Sequence, residues 1–323
     1  MENTNLYPLN FYPIFKNKVW GGTKIRDILG KQNTPSDHCG ESWEISTIPG
    51  NVSRVAEGNL KGFPLDLLIR TFREKLVGRK IYEKFGTHLP LLFKFIDACE
   101  DLSIQVHPDD ELAMARHNSL GKTEMWYILE AEKGASVING LKQKVNEHAF
   151  SGISDQALSS VFHRQPVKEG DVVFIPAGTV HAIGSGVLLA EIQQSSDITY
   201  RIHDYNRSDT DGQLRELHLD LALDAINYDR KRQHVFSSEH TSSKLIRCDH
   251  FTTNHLTPEH TVLRDYAQID SFVVYMMVEG HAILKYHGGE VEARKGDVYL
   301  IPADMEYIII DPINNSRLLE VHC

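Results

Sequence analysis

Gly170-Asp-Val-Val-Phe-Ile-Pro176-Ala177 and Gly296-Asp-Val-Tyr-Leu-Ile-Pro302-Ala303 are one phrase written twice, 126 residues apart. Each copy has a turn glycine, a short hydrophobic strand and a proline that stops the strand and re-aims the chain. Upstream of the second copy, Ser271–Val278, Glu279-Gly280 and His281–Tyr286 read as two strands around a turn. Two related β-units in one chain account for this better than a single irregular fold.

Strand patterns dominate outward from the repeat. Glu41–Ser46, Leu91–Asp97, Leu102–His107, Glu124–Leu129, Asp171–Ile175 and Val187–Gln193 are short, rich in Val, Ile and aromatics, and bounded by Gly, Pro, Asn and Asp. Helical spacing is confined to Leu65–Phe72, a stretch near Ile81–Phe85, Asp109–His117 with Asp109 as a cap, and Gln213–Ile226. The fold class expected is mainly β with a few short helices. Its boundary falls in the polar region between about 225 and 255, around Lys231, Arg232, Gln233 and the Ser237–Ser243 stretch. The expected division is 1–230 and 231–323.

Composition narrows the function. A chain of 323 residues is long enough for two cores, and 41% hydrophobic with 24% charged residues is ordinary for a globular protein. No apolar run approaches the roughly 18 residues needed to span a bilayer. The opening lacks the features of a signal peptide, so a cytoplasmic location without membrane attachment is expected. Cys39, Cys99, Cys248 and Cys323 show no CxxC spacing, which argues against cysteine-bound zinc and a disulfide framework. A net charge of −10 disfavours nucleic acid as a partner. It also requires any site for a phosphorylated ligand to carry its own cluster of positive side chains.

Three segments could carry chemistry. Ser103-Ile-Gln105-Val-His107 alternates so that Ser103, Gln105 and His107 share a strand face. Gly121-Lys122-Thr-Glu124-Met-Trp126 places Lys122, Glu124 and Trp126 on one face by the same period. Pro176-Ala-Gly178-Thr-Val-His181 puts a histidine just beyond a Pro-x-Gly turn. Alone, each has an ordinary structural reading: a half-exposed strand, an ion pair at a strand start, a turn histidine. Together, His107, Glu124 and His181 offer two imidazoles and a carboxylate, and Gln105 can add a carbonyl oxygen. That set suits a divalent transition metal with positions left open for ligand, which is catalytic rather than structural chemistry. The second repeat continues Asp304-Met-Glu306-Tyr307, with tyrosine where the first has His181, so one unit is expected to hold a metal and the other none.

The order Gly170-x5-Pro176-x-Gly178-x2-His181 resembles the second cupin motif. Gln105-x-His107, Gly121-Lys-Thr-Glu124, Pro176-x-Gly-x2-His181 and Ser195-Ser-Asp197-Ile-Thr-Tyr-Arg201 together resemble type I mannose-6-phosphate isomerases (phosphomannose isomerases), in their short bacterial form. Trp20-Gly-Gly22 and Gly40-Glu-Ser-Trp43-Glu-Ile-Ser46 look like that family's N-terminal signatures. The resemblance implies two cupin-type jelly-roll barrels, the first with one Zn2+ held by Gln105, His107, Glu124 and His181. It implies Arg201 as the catalytic arginine, Lys122 facing the substrate, Glu191 as a carboxylate lining the pocket, and a sugar phosphate as partner. The phosphate-binding residues of longer members do not map cleanly onto this chain, and Arg207 is the expected substitute.

Aldose–ketose isomerisation needs a base to carry a proton between C2 and C1, and positive charge where an enediolate develops. Glu191 or a zinc-held water is the candidate base, with Lys122 as a second proton carrier. Metal binding needs neutral imidazoles, so activity is expected to fall below about pH 6. Two other readings use the same residues: a 2-His-1-carboxylate iron oxygenase, and a non-catalytic sugar-binding cupin. The first does not call for Lys122, Arg201 or Gln105; the second leaves the full ligand set without a task. Oligomeric state is open.

Overall fold

The computed structural model describes residues 5–142, 160–209, 212–228, 235–238 and 242–323. Lys231, Arg232, Gln233 and the expected division at 230 lie outside the described residues, as do 239–241 of the Ser237–Ser243 stretch.

The strand Leu91–Ala98 organises the N-terminal part. All eight of its residues are buried because each face has its own cover. Leu91, Phe93 and Phe95 join one apolar cluster, while Ile96 and Ala98 join another on the opposite face. Around it lies a seven-stranded antiparallel sheet in the order Ile14–Gly22, Cys39–Ile45, Leu91–Ala98, Val187–Gln194, Glu124–Ala131, Asp171–Ile175, Phe236–Ser237. A five-stranded sheet faces it, in the order Tyr200–His203, Ile104–Val106, His181–Ile183, Ser136–Leu141, Phe162–Pro166. Trp20, Trp126, Val137 and Ile183 pack between the two. The outer face of the first sheet, with Phe93, Met125 and Ile192, packs against helix Leu65–Phe72 and against Val274, Leu300 and Leu319 of the C-terminal part.

The third sheet runs Ser243–Arg247, Thr252–Leu256, Tyr307–His322, Val273–Tyr286, Gly289–Arg294, with Val262–Asp265 and Val298–Ile301 added beside the two long strands. Here the structure corrects one expectation. Glu279-Gly280 does not turn the chain; Val273–Tyr286 is one continuous strand with irregular register through this point. Gly280 has φ +72, and a Cβ there would sit 2.2 Å from the Asn314 carbonyl oxygen, so glycine lets the two long strands stay paired through a bulge.

Register shows how deep the repeat goes. In the first unit Ile175 pairs Glu124, Val173 pairs Trp126, Trp126 pairs Glu191 and Glu191 pairs Lys94. In the second, Ile301 pairs Val273, Tyr299 pairs Tyr275, Tyr275 pairs Glu320 and Glu320 pairs Asn254. With Ile175 matched to Ile301, Glu320 occupies the place of Glu191, Asn254 that of Lys94, and Val273 that of Glu124. The whole is a mainly β, cupin-type fold.

Two further expectations shift. The predicted helix over 213–226 is helical only over Leu219–Ala225; residues 215–218 bond to the Arg201 and Arg207 backbone instead. The Leu102–His107 strand shortens to Ile104–Val106 because Pro108 follows and Asp109 caps the next helix by accepting from the Leu112 N–H at 2.9 Å.

Candidate active site

Three elements bring the sequence-predicted ligands together. His107 leaves the Ile104–Val106 strand, Glu124 opens the Glu124–Ala131 strand, and His181 begins the strand beyond the Pro-x-Gly turn. Gly178 takes φ +83 and donates its N–H to the His107 carbonyl at 2.8 Å, which ties the His181 turn directly to the other histidine. Register then places Gln105 opposite both His181 and Arg201. The candidate ligand atoms of His107, Glu124 and His181 lie within 4.8 Å of one another. Their residues are 1%, 0% and 0% exposed, so water does not compete for them.

Both imidazoles are oriented from behind. His107 Nδ1 donates to the Ile198 carbonyl at 2.8 Å and His181 Nδ1 to the Thr179 carbonyl at 2.8 Å. A carbonyl only accepts, so these bonds set the tautomer and leave both Nε2 lone pairs facing the centre. Glu124 Oε1 is buried without a hydrogen-bond partner among the described residues, 3.3 Å from His181 Nε2. A carboxylate with one oxygen beside His181 Nε2 and the other 3.5 Å from His107 Nε2 is a donor set that fits a divalent cation. The Gln105 amide nitrogen bonds His181 Nε2 at 3.2 Å; a half-turn of the amide presents its carbonyl there instead.

Electrostatics follow from burial. It pushes the His181 imidazole down to about 3 and His107 well below its usual value, the latter aided by Lys122 and His181. It raises the Glu124 carboxyl against the opposing pull of Lys122. The Lys122 ammonium lies 2.5 Å from Glu124 Oε2 and 2.9 Å from His107 Nε2. Glu191 is 2% exposed and is held by Lys94 at 3.1 Å and the Trp126 indole N–H at 3.0 Å. Burial works to raise Glu191, but Lys94 and Lys122 outweigh it and hold the group below its ordinary value.

Gln105, Lys122, Glu191 and Arg201 help to line a pocket of 420 Å³, of a size suited to a small ligand. Arg207 is not among the lining residues. It is tied to Asp204 Oδ1 at 2.7 Å and to the Asp101 carbonyl at 2.6 Å. Six charged residues absent from the candidate set do line the pocket: Lys16, Lys18, Glu41, Lys94, Asp197 and Arg215. Lys94 had a signal, since a lysine amid Leu91-Leu-Phe-Lys94-Phe-Ile must be buried with a partner. Arg215 had none; a loop-and-strand contact carries it in.

The comparisons agree with this geometry. Residues 9–142 match the family described as phosphomannose isomerase type I, catalytic domain. The mannose-6-phosphate isomerase ManA of Bacillus subtilis (strain 168) is 36% identical, covering 91% of this chain and 93% of that protein. A mannose-6-phosphate isomerase of Streptococcus mutans serotype c is 41% identical over 68% of this chain and 67% of its own. The crystal structure of a mannose 6-phosphate isomerase from Bacillus subtilis superposes with a TM-score of 0.86 at 32% identity, covering 98% of this chain and all of that one. Fold and site thus define a metal-binding isomerase of the aldose–ketose class. The chain belongs to the type I mannose-6-phosphate isomerase family.

Proposed function

We propose that this protein interconverts D-mannose 6-phosphate and D-fructose 6-phosphate through an enediolate, using one Zn2+ held by His107, Glu124, His181 and the amide carbonyl of Gln105. The observation that carries this reading is the buried cluster of His107, Glu124 and His181, whose candidate ligand atoms lie within 4.8 Å of one another with both imidazoles held by Nδ1–H bonds. Zinc, when bound, supplies a Lewis acid that polarises O1 or O2 and fixes the reacting end of the sugar.

The remaining work falls to the chain. Glu191 takes the C2 proton as the C2–H electron pair becomes the C1–C2 double bond, then returns the proton to C1. Lys94 and Lys122 keep this carboxylate ionised at neutral pH, ready to accept although weakly basic. Lys122 donates to the developing oxyanion and relays a proton between the two oxygens; a lysine moving toward that oxygen also stops lowering the proton affinity of Glu191. Arg201, from the strand beside Gln105, adds fixed positive charge near the enediolate. The nearly complete burial of the ligands keeps water from the intermediate.

We also propose that residues 1–230 form the catalytic unit and 231–323 a supporting unit without a metal, a reading consistent with Val273 at the place of Glu124. The strand Phe236–Ser237 crosses that division to join the first sheet. A cytoplasmic setting is consistent with four unpaired cysteines. The test is conversion of mannose 6-phosphate to fructose 6-phosphate before chelation, after it, and with zinc restored. Activity lost and regained supports enzyme and metal together. Activity surviving complete metal removal excludes zinc from the reaction, and no turnover by the fully loaded protein refutes the isomerase.

A further inference from the structure

With Arg207 directed away from the pocket, the phosphate end of the substrate has no assigned partner. A phosphate monoester carries about 1.5 to 2 negative charges at neutral pH, and the chain as a whole, at −10, repels it. The pocket offers two cationic walls. On one, Lys16 is held by the Asn51 side-chain oxygen and feels the charge of Asp197, Lys18 and Lys94 are met by Glu41 at 3.1 and 3.7 Å, and Lys94 is met again by Glu191 at 3.1 Å. On the other, Arg201 and Arg215 line the pocket. Among the described residues their neighbourhood holds one buried carboxylate, Asp204, already shared between Arg207 at 2.7 Å and Arg215 at 3.0 Å. Asp209 and Glu216, near Arg201, are exposed.

The arginine wall carries the surplus. Arg201 donates one N–H to the Glu216 carbonyl at 2.6 Å, while its buried Nε has no hydrogen-bond partner among the described residues. Burial lowers its pKa and the charge of Arg215 lowers it further, as two guanidiniums sharing one space require. The fork is also fixed in advance. The His218 N–H donates to the Arg201 carbonyl at 2.8 Å and the Arg215 N–H to the Arg207 carbonyl at 3.2 Å, so this segment is laid along the Arg201 strand. Asp204, 3% exposed, holds one edge of the Arg215 guanidinium. Register sets Arg201 directly opposite Gln105, one strand spacing from the Gln105–His107 ligand strand. The segment carrying Arg215 bonds the outer edge of the Arg201 strand, so two spacings, about 10 Å, separate that ligand strand from the Arg215 segment. That is comparable to the length of a six-carbon chain from its carbonyl end to its phosphate.

We propose that Arg215, beside Arg201, binds the phosphate group of the sugar phosphate. This rests on the isomerase reading above, and it makes Arg215 a substrate-binding residue supplied by the 212–218 loop. Loss of two charge-assisted hydrogen bonds corresponds to a KM increase of about 100-fold with kcat little changed, because phosphate binding is common to ground and transition states.

The test is steady-state kinetics on mannose 6-phosphate for the wild type, Arg215→Gln, Arg215→Lys and Arg207→Gln. Competitive inhibition by inorganic phosphate and bound zinc are measured on each. The expected result is a large KM increase in R215Q, partial recovery in R215K, parallel weakening of phosphate inhibition, and full zinc content. An R215Q variant with KM and phosphate inhibition within twofold of an active wild type overturns the proposal and leaves the isomerase standing. So does a KM effect that appears in R207Q but not R215Q, or one that tracks zinc loss. A metal-loaded wild type without turnover overturns the isomerase reading, and this proposal with it.

Discussion

Glu191 and Glu320 hold the same place in the two repeats, yet substituting each by glutamine should produce opposite phenotypes. Glu320 is 1% exposed and accepts from Arg264 Nε at 2.8 Å, Arg264 Nη2 at 2.7 Å, Asn254 at 2.8 Å and the Tyr266 hydroxyl at 2.6 Å. Glu320→Gln turns an acceptor-only group into one that donates toward the Arg264 fork. Removing one partner of a buried pair costs about 3–5 kcal/mol. The Arg264 side chain is 33% exposed and can recover some hydration, so about 3 kcal/mol is expected. Burial works to raise Glu320, but Arg264 and Tyr266 outweigh it and lower its pKa. The sign follows: the contribution is fully present above the unfolded glutamate value and disappears as pH falls through the lower folded value. Urea unfolding of wild type and E320Q should therefore differ by a constant amount from pH 6 to 8 and converge below about pH 4.5. E320Q should keep kcat and KM under native conditions. Glu191→Gln should instead lose about 10²- to 10⁴-fold in kcat, the range for a general base. An E320Q protein with normal stability and impaired turnover, or an E191Q protein with normal solvent exchange of the C2 proton, would falsify this division of labour.

Four other outcomes can be checked. Burial holds both ligand imidazoles below their free value, His181 at about 3, so the acid limb of activity should lie below the pH of about 6 that unperturbed histidines suggest. Bound zinc and activity followed together from pH 7 to 4 should both persist at pH 5; release between pH 7 and 6 contradicts the assignment. In chelated protein the unfolded state protonates these histidines first, so stability should drop below pH 6.5 by up to about 1.4 kcal/mol per pH unit for each. Trp126→Phe removes the N–H bonded to Glu191 while keeping the aromatic bulk, and should lower kcat about tenfold with zinc content unchanged. Gly178→Ala meets both a φ of +83 and the Ala225 carbonyl at 3.0 Å; about 1–3 kcal/mol of stability should be lost, with weaker zinc binding as His181 shifts.

Period and punctuation alone determined much of this protein. Alternation put Gln105 and His107 on one face, and the repeated Gly-strand-Pro phrase announced two β-units. Asp109 after Pro108 marked a helix start that the Leu112 bond confirms. Those signals are local, because a two-residue period and a cap are written within a few positions. Positions set by pairing between distant segments were not legible in the same way. Gly280 reads as a turn in isolation and becomes a bulge once Asn314 lies against it. Arg207 and Arg215 are equally basic in sequence, but Asp204 and the Asp101 carbonyl take Arg207 while the 212–218 loop carries Arg215 into the pocket. Lys94 becomes a site residue only when register sets it opposite Glu191. The sequence by itself determined the β architecture and the donor set His107, Glu124 and His181, since residue type and spacing carry both. Only the tertiary structure decided which charges face one another across the pocket, because that depends on register and loop docking between distant segments, as in the Lys94–Glu191 pair about a hundred residues apart.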